Sequence, residues 1–303
     1  MQPTIYTLTG NLLWERTLEF ASWAIGKTQR ARAESFQVGG KGINVSRMVA
    51  RLNAPTEALC FSGGSTGADC LAWLSAKGIA HHAFTTTAPT RIGAVIRGDD
   101  QSETTFLGPD AAPDPGAWKA CAAYIEQLLA GNVLALCGSF PGWTSPDAEP
   151  LRSALSRWTA RGTLVADTYG PPLAWALQQS LALVKINRDE FDALQPASSL
   201  AEPFAKRLAS MLVSSRARAW IISDGDKPVW LAQQGSPPYS AIPPKITPVS
   251  PTGSGDVLLA CLLHGCYQCG MTLTDALAYA LPYAAANASH PGIADFDLNN
   301  LPV

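Results

Sequence analysis

Excess positive charge, long apolar runs and histidine are all scarce in this sequence. Lysine and arginine number 22 against 24 aspartates and glutamates, which leaves no basic field for holding a nucleic-acid backbone. No apolar run approaches the length needed to cross a bilayer, and the first residues lack the basic-then-apolar pattern of a secretory signal. The expectation is a cytoplasmic chain with neither membrane nor nucleic acid as partner. The seven cysteines are an odd number and are expected as reduced thiols. Cys266 and Cys269 form a lone C-x-x-C with no second pair to complete a zinc ribbon, so both are expected to pack a helix. No G-x-G-x-x-G follows the first strand, which argues against a dinucleotide-dependent oxidoreductase. Charged residues make up only 15% of 303, against 47% apolar, a composition suited to one large α/β domain with a smaller appendage, or to two domains.

What is present centres on Pro251-Thr-Gly-Ser-Gly-Asp256, followed without a break by the apolar run Val257–Leu263. A run apolar on every face predicts a buried helix. Its first N–H groups have no intrahelical partner and sit at the positive end of the helix dipole, while Gly253 and Gly255 let a ligand approach the backbone. That is the construction of an anion site. Asp256 places a fixed negative charge beside it. It is either a helix N-cap or a carboxylate that accepts a hydroxyl proton while the neighbouring N–H groups of Gly253, Ser254 and Gly255 stabilise a phosphoryl group in transit.

Upstream, residues 4–9 read as a first strand closed by Gly10-Asn11. Val38-Gly-Gly-Lys-Gly-Ile-Asn44 leads into Val45, Met48, Val49 and Leu52 at i, i+3, i+4 and i+7, an amphipathic helix with bare backbone and one cation at its start. Residues 21–28 nearly spell a phosphate loop but begin with Ala21 where the first glycine belongs. Gly63-Gly-Ser-Thr-Gly67 matches a nucleophile elbow without the partners it needs and is expected as a glycine turn after a strand at 57–61. Residues 79–108 read as short strands of a small sheet, Thr90-Arg91 opening one of them.

From residue 109 onward, apolar strands at 133–137, 163–167 and 181–186 alternate with helices at 116–130, 146–160 and 171–180. This pattern predicts a mostly parallel sheet covered by helices on both faces, with ligands at the carboxyl ends of its strands, where Gly138, Ser139, Asp167 and Asn187 fall. Asn187 and Glu190, three apart on one helical turn, can cap that helix and can also jointly hold a hydrated Mg²⁺. A strand at 220–225 ends in a turn, and a last helix spans 274–288.

In order along the chain stand Gly39-Gly-Lys-Gly-Ile-Asn-Val45, Thr90-Arg91, Gly108-Pro109, Gly138-Ser139, Lys185-Ile-Asn187 with Glu190, and Gly253-Ser-Gly-Asp256. In these motifs and their separations the chain resembles the ribokinase-like (PfkB) family of carbohydrate kinases, and within it the branch containing 1-phosphofructokinase and tagatose-6-phosphate kinase. The resemblance implies a ribokinase-like α/β fold with a small β-sheet lid. A core of residues 1–11, 37–83 and 109–303 would carry a lid of 12–36 and 84–108. It implies ATP and Mg²⁺ as cofactors and Asp256 as general base beside the Gly253–Gly255 anion hole. Asn187 and Glu190 would form the Mg²⁺ motif, and Asn11, Glu15, Gly39, Gly40, Lys41 and Asn44 would contact the sugar. Lys41 and Arg91, with Ser139, would hold its phosphate. The nucleotide would lie near Asn187, Ser223, Gly225, Gly253, Gly255 and Asn287. Two departures bear on binding. Where the family pattern has Asn-Pro-Ala-x-Asp, this chain reads Asn11-Leu-Leu-Trp-Glu15, and its Ser-x-Gly-Ala turn is Ser223-Asp-Gly-Asp226.

The function expected is phosphoryl transfer to a phosphorylated ketohexose. The alternatives are a kinase for a free sugar or nucleoside and a catalytically idle sugar-binding relative. Apolar residues on the lid strands (Trp14, Phe20, Trp23, Phe106) beside an open sheet edge predict a homodimer through the lid.

Overall fold

The computed structural model describes residues 2–99 and 103–303. Met1 and residues 100–102, which the expected domain division includes, lie outside the described residues. Strand β1 (Ile5–Thr9) is followed by β2 (Leu13–Phe20) and β3 (Ala33–Gly39). Helix α1 (Lys41–Arg51) leads to β4 (Thr56–Ser62), α2 (Gly64–Ala76), β5 (His81–Thr85), β6 (Arg91–Gly98) and β7 (Glu103–Leu107). Strands and helices then alternate through α3 (Pro115–Gln127), β8 (Val133–Gly138), α4 (Glu149–Trp158), β9 (Thr163–Thr168), α5 (Pro171–Ala176) and β10 (Leu183–Asn187). After α6 (Arg188–Asp192) and α7 (Phe204–Ser214) come β11 (Ala219–Ser223), β12 (Val229–Gln233), β13 (Tyr239–Ala241), α8 (Ser254–Tyr267) and α9 (Leu273–Ala288).

Nine strands form one sheet in the order β13-β12-β11-β10-β9-β8-β1-β4-β5, parallel except where β12 and β13 turn back at one edge. Alternation along each strand divides the core in two. In β8, Leu134 and Leu136 face a cluster with Trp118, Trp158 and Phe191, while Val133, Ala135 and Cys137 face Val45, Met48, Val49 and the α8 residues. Both faces are therefore covered, as near-continuous apolar strands require. A second sheet of four strands, β3-β2-β6-β7, stands apart.

The structure corrects several expectations. Residues 81–85 do not join the small sheet: β5 pairs with β4 in parallel at the edge of the large one, because Phe84 finds its burial against Phe61 there. The expected lid segment thus begins too early, and β3 carries the small sheet to Gly39, three residues past the expected boundary at 36. Gly63 closes β4 and the chain passes directly into α2, not into a simple turn. Helix α7 was not anticipated; its apolar residues are spaced by Lys206, Arg207 and Ser210. Cys266 is half-buried, but Cys269 lies exposed beyond the end of α8, its Sγ 3.6 Å from Nδ1 of His264 on that helix.

Helix α8 is buried on every side as its composition requires, with each residue from Val257 to Leu263 at most 2% exposed. Replacing Leu259 with alanine should lower the unfolding free energy by about 2–5 kcal/mol, the usual cost of a cavity at a fully buried leucine. Urea denaturation measures this; a loss below about 1 kcal/mol would mean that packing does not hold the helix.

Candidate active site

The carboxyl ends of β1, β8, β10 and β11 open into a cleft of about 1020 Å³, whose other wall is the small sheet through Leu13, Glu15, Arg91 and Leu107. Ligands gather at this end of parallel sheets because helix N-termini and strand ends converge there. Helix α8 points its first turn into the cleft. Gly253 takes φ 78°, and a Cβ on it would lie 2.5 Å from Ile293; a Cβ on Gly255 would lie 2.6 Å from the Lys185 ammonium. Only glycine permits both the left-handed turn and the close approach of Lys185 to the loop.

Asp256, in that first turn, is 6% exposed and accepts a hydrogen bond from Asn44 Nδ2 at 2.7 Å. Across from it, Asp167 is wholly buried at the end of β9, its Oδ1 2.7 Å from Lys41 Nζ and its Oδ2 2.9 Å from Lys185 Nζ. Lys41 Nζ also donates to Glu190 Oε1 at 3.0 Å. Three carboxylates thus face two ammonium groups. Burial, reinforced by the charge of Asp167, pushes the Asp256 carboxyl up to about 6, against the pull of Lys41, Lys185 and the Asn44 amide. Burial opposes the Lys41 ammonium, but Asp167, Glu190 and Asp256 outweigh it and raise its pKa. Asp167 is likewise penalised by burial, yet the two lysines hold it below the ordinary carboxylate range.

Asn187 and Glu190 meet in a reciprocal capping box at the start of α6: Glu190 N–H donates to Asn187 Oδ1 at 2.8 Å, and Asn187 N–H donates to Glu190 Oε2 at 3.0 Å. Both Glu190 oxygens therefore have protein donors. No group of three His, Cys, Asp or Glu residues could cage a metal among the described residues. What the pair could hold is a cation that keeps its own water shell, reached without displacing those donors.

On the wall formed by the small sheet, Glu15 of β2 is buried and accepts from Gln37 Nε2 directly across the β2–β3 pair. Burial raises its pKa, the Gln37 hydrogen bond opposes that, Glu103 adds to it and Arg97 offsets it. Arg91 donates from Nη1 to Asp110 Oδ1 at 2.8 Å, and the same oxygen accepts from Asn11 Nδ2 at 2.8 Å. Asn11 also reaches Ser139 Oγ at 3.1 Å. The Nε of Arg91 is buried without a partner. Lys41 and Arg91 line one cleft but share no partner: Lys41 is drawn toward Asp167 and Glu190, and Arg91 toward Asp110.

Gly39, Gly40, Asn44, Ser139, Ser223, Gly225 and Gly253–Asp256 all line the cleft. Asn287 does not. It is 1% exposed, donating to Thr252 O and Ser254 Oγ at 3.0 Å each and accepting from Ala294 N–H at 2.7 Å. Its side chain braces the loop before α8 and leaves nothing for a nucleotide. The acid added by Asp224 is answered by Lys227 at 3.4 Å and Arg188 at 4.0 Å, so it presents little free charge to a polyphosphate. The sequence reading assigned no role to Asp167 or Lys185. Each is a charged residue inside a mostly apolar strand, and the partner that gives it a role lies on another element.

A family model described as pfkB family carbohydrate kinase matches residues 11–299. The chain is 28% identical over 263 residues to a 1-phosphofructokinase of Bacillus subtilis (strain 168), which covers 86% of this chain and 85% of that protein. It is 26% identical over 295 residues to a D-tagatose-1-phosphate kinase of Bacillus licheniformis, covering 96% and 94%. The crystal structure of phosphofructokinase-2 from Escherichia coli in complex with fructose-6-phosphate superposes with a TM-score of 0.83 over 94% of each chain, at 21% identity. A ribokinase from Thermotoga maritima superposes with a TM-score of 0.72 at 18% identity, over 96% of this chain and 95% of that one. At such identities these likenesses establish the fold.

The raised pKa of Asp256 carries a stability consequence. It lies above the ordinary 3.8, so the folded protein keeps this proton when the unfolded chain has lost it, and stability falls as pH rises from about 3.8 to about 6. Asp256→Asn removes that loss. Its melting temperature should exceed the wild type's by at least about 2 °C at pH 8, with the difference shrinking toward pH 4. Thermal melts across that range check this, and an equal or lower value at pH 8 would contradict it.

Proposed function

The chain belongs to the pfkB family of carbohydrate kinases, and from that membership we propose that it transfers the γ-phosphoryl group of ATP to a hydroxyl of a phosphorylated ketohexose. The observation that carries the reading is a buried carboxylate with its pKa near 6, set in the first turn of α8 beside a glycine loop, within one cleft that also holds Lys41, Lys185 and Arg91. In this reading the acceptor oxygen bonds to the γ-phosphorus, the bond to the bridging oxygen of the ADP leaving group breaks, and the hydroxyl proton passes to Asp256. The N–H groups of Gly253 and Gly255 meet the charge on the transferring group, whereas that of Ser254, expected to join them, donates to Pro251 O at 3.2 Å; the ammonium of Lys185, close against Gly255, adds to the site. Asn187 and Glu190 would hold Mg²⁺, which would supply neutralisation of the phosphate charge.

The substrate class rests on the acceptor side. Arg91 is partly buried, with one nitrogen unpartnered, and a phosphate offers the guanidinium a bidentate partner better than a lone carboxylate oxygen of Asp110. The B. subtilis and B. licheniformis relatives, named for kinases of ketohexose monophosphates, support the same class. Because binding of a remote phosphate also orients the reacting hydroxyl, kcat/KM should be higher for fructose 1-phosphate and tagatose 6-phosphate than for fructose and ribose. Arg91→Ala should raise KM for the sugar phosphate roughly tenfold or more while leaving KM for ATP within about twofold. A coupled ADP-release assay measures both; equal or better use of the free sugars sinks the phosphate reading.

On the face of the small sheet turned away from the cleft, Ile92 and Phe106 are 50% and 56% exposed, an apolar pair on an open sheet. Burial of that face against a second copy follows from the cost of leaving it in water. Sedimentation at micromolar concentration should therefore give a dimer that Phe106→Glu dissociates. A monomeric wild type would rule out assembly through this face.

A further inference from the structure

A polar cluster that the chemistry above leaves unused joins the small sheet to the loop before α8. Glu103 begins β7 and pairs with Arg97 of β6 across the strands. Its Oε1 accepts from Thr252 Oγ1 at 2.7 Å, and its Oε2 accepts from Ser250 Oγ at 3.1 Å and from Arg97 Nε at 2.9 Å. Arg97 Nη2 donates to Ser250 Oγ at 3.4 Å. From the other side the same two residues are tied to α9: Ser250 N–H donates to Ala288 O at 3.1 Å, and Thr252 O accepts from Asn287 Nδ2 at 3.0 Å. Gly253 and Gly255 have no side chains of their own to fix the loop that follows. Its position is set by what holds residues 250 and 252, together with the Asn287 hydrogen bond to Ser254 Oγ at 3.0 Å.

We propose that Glu103 is a positioning residue that holds Thr252 and Ser250, so that the N–H groups of Gly253 and Gly255 are aimed at the phosphoryl group only while the small sheet lies over the cleft. This rests on the reading of Gly253 and Gly255 as the anion hole. A Glu103–Arg97 pair serving only the small sheet would have no need of two hydroxyls from another part of the chain. The carboxylate instead turns both oxygens to the loop, Oε1 in a short charge-assisted hydrogen bond to Thr252 and Oε2, shared with Arg97, in a longer one to Ser250. The small sheet also carries Glu15 and Arg91, the acceptor-side groups, and Glu103 lies near enough to raise the pKa of Glu15. One rigid sheet therefore meets the acceptor on its inner face and grips the catalytic loop at its edge. Docking of the acceptor and alignment of the transfer site become a single movement, which limits transfer to water.

The test compares Glu103→Ala, Thr252→Val and Thr252→Ser, using fructose 1-phosphate and ATP and, separately, hydrogen exchange of the 253–256 amides without ligand. Glu103→Ala and Thr252→Val should lower kcat roughly tenfold or more with KM for ATP within about twofold, while Thr252→Ser, which keeps the hydroxyl, stays within about threefold of wild type. The amides should exchange about tenfold faster in Glu103→Ala. Kinetics and exchange both within about twofold of wild type would overturn the proposal. So would a Thr252→Ser enzyme as slow as Thr252→Val, because the hydroxyl would then not be what matters. If Glu103→Ala does not fold, the exposed Thr252 pair decides it. If the wild type turns over no sugar phosphate, the proposed function fails, and the exchange result still stands or falls on its own.

Discussion

Everything in the cleft depends on one buried carboxylate, Asp167, held between two ammonium groups at 2.7 and 2.9 Å. A lone charge in that position would be costly, and so would Lys185 without it, whereas Lys41 also has Glu190. Paired, the three fix one another: Lys41 at the start of α1, Asp167 at the end of β9 and Lys185 near the end of β10. The pairing leaves Asp256 as the one buried carboxylate of the centre with no ammonium hydrogen-bonded to it. Burial and the repulsion of Asp167 raise its pKa against the weaker pull of Lys41, Lys185 and the Asn44 amide, while the two lysines bonded to Asp167 hold that carboxyl down. Two aspartates in one site are driven apart in pKa, and the raised one faces the loop where chemistry would occur.

The rest of the architecture delivers these groups. The parallel sheet brings strand ends together, and the covered faces make α8 and its neighbours rigid enough to present single atoms. Asn287 illustrates how much of the site is indirect, since a residue resembling a nucleotide contact turns out to be the brace that keeps the α8 loop in place.

The α/β core was readable because its signals are local. Continuous apolar runs at β8 to β10 alternate with helices, and the run after Asp256 admits no exposed face. The motifs that close strands were readable for the same reason, as glycines and lone charges interrupt those runs. What sequence reasoning placed wrongly was decided by partners far along the chain. The strand at 81–85 has the same strand-forming composition as its successors, and only its pairing with β4 assigns it to the large sheet. Likewise Asp167 and Lys185 are each unremarkable alone; their meaning lies in a contact spanning β9 and β10 with α1. Arg91 and Lys41 carry the right charge for one phosphate, yet each has a carboxylate partner of its own that the sequence did not reveal.

The central claim is that Asp256 takes the acceptor proton, with its pKa raised by burial. The most direct measurement is kcat against pH, at saturating sugar phosphate and ATP, for the wild type and Asp256→Asn. The account predicts that wild-type kcat rises with pH through about 6 and levels off above it. The asparagine variant should be roughly a hundredfold or more slower, with that rise gone. A wild-type rate flat across this range, or an asparagine variant that keeps both rate and profile, would reduce Asp256 to a helix cap.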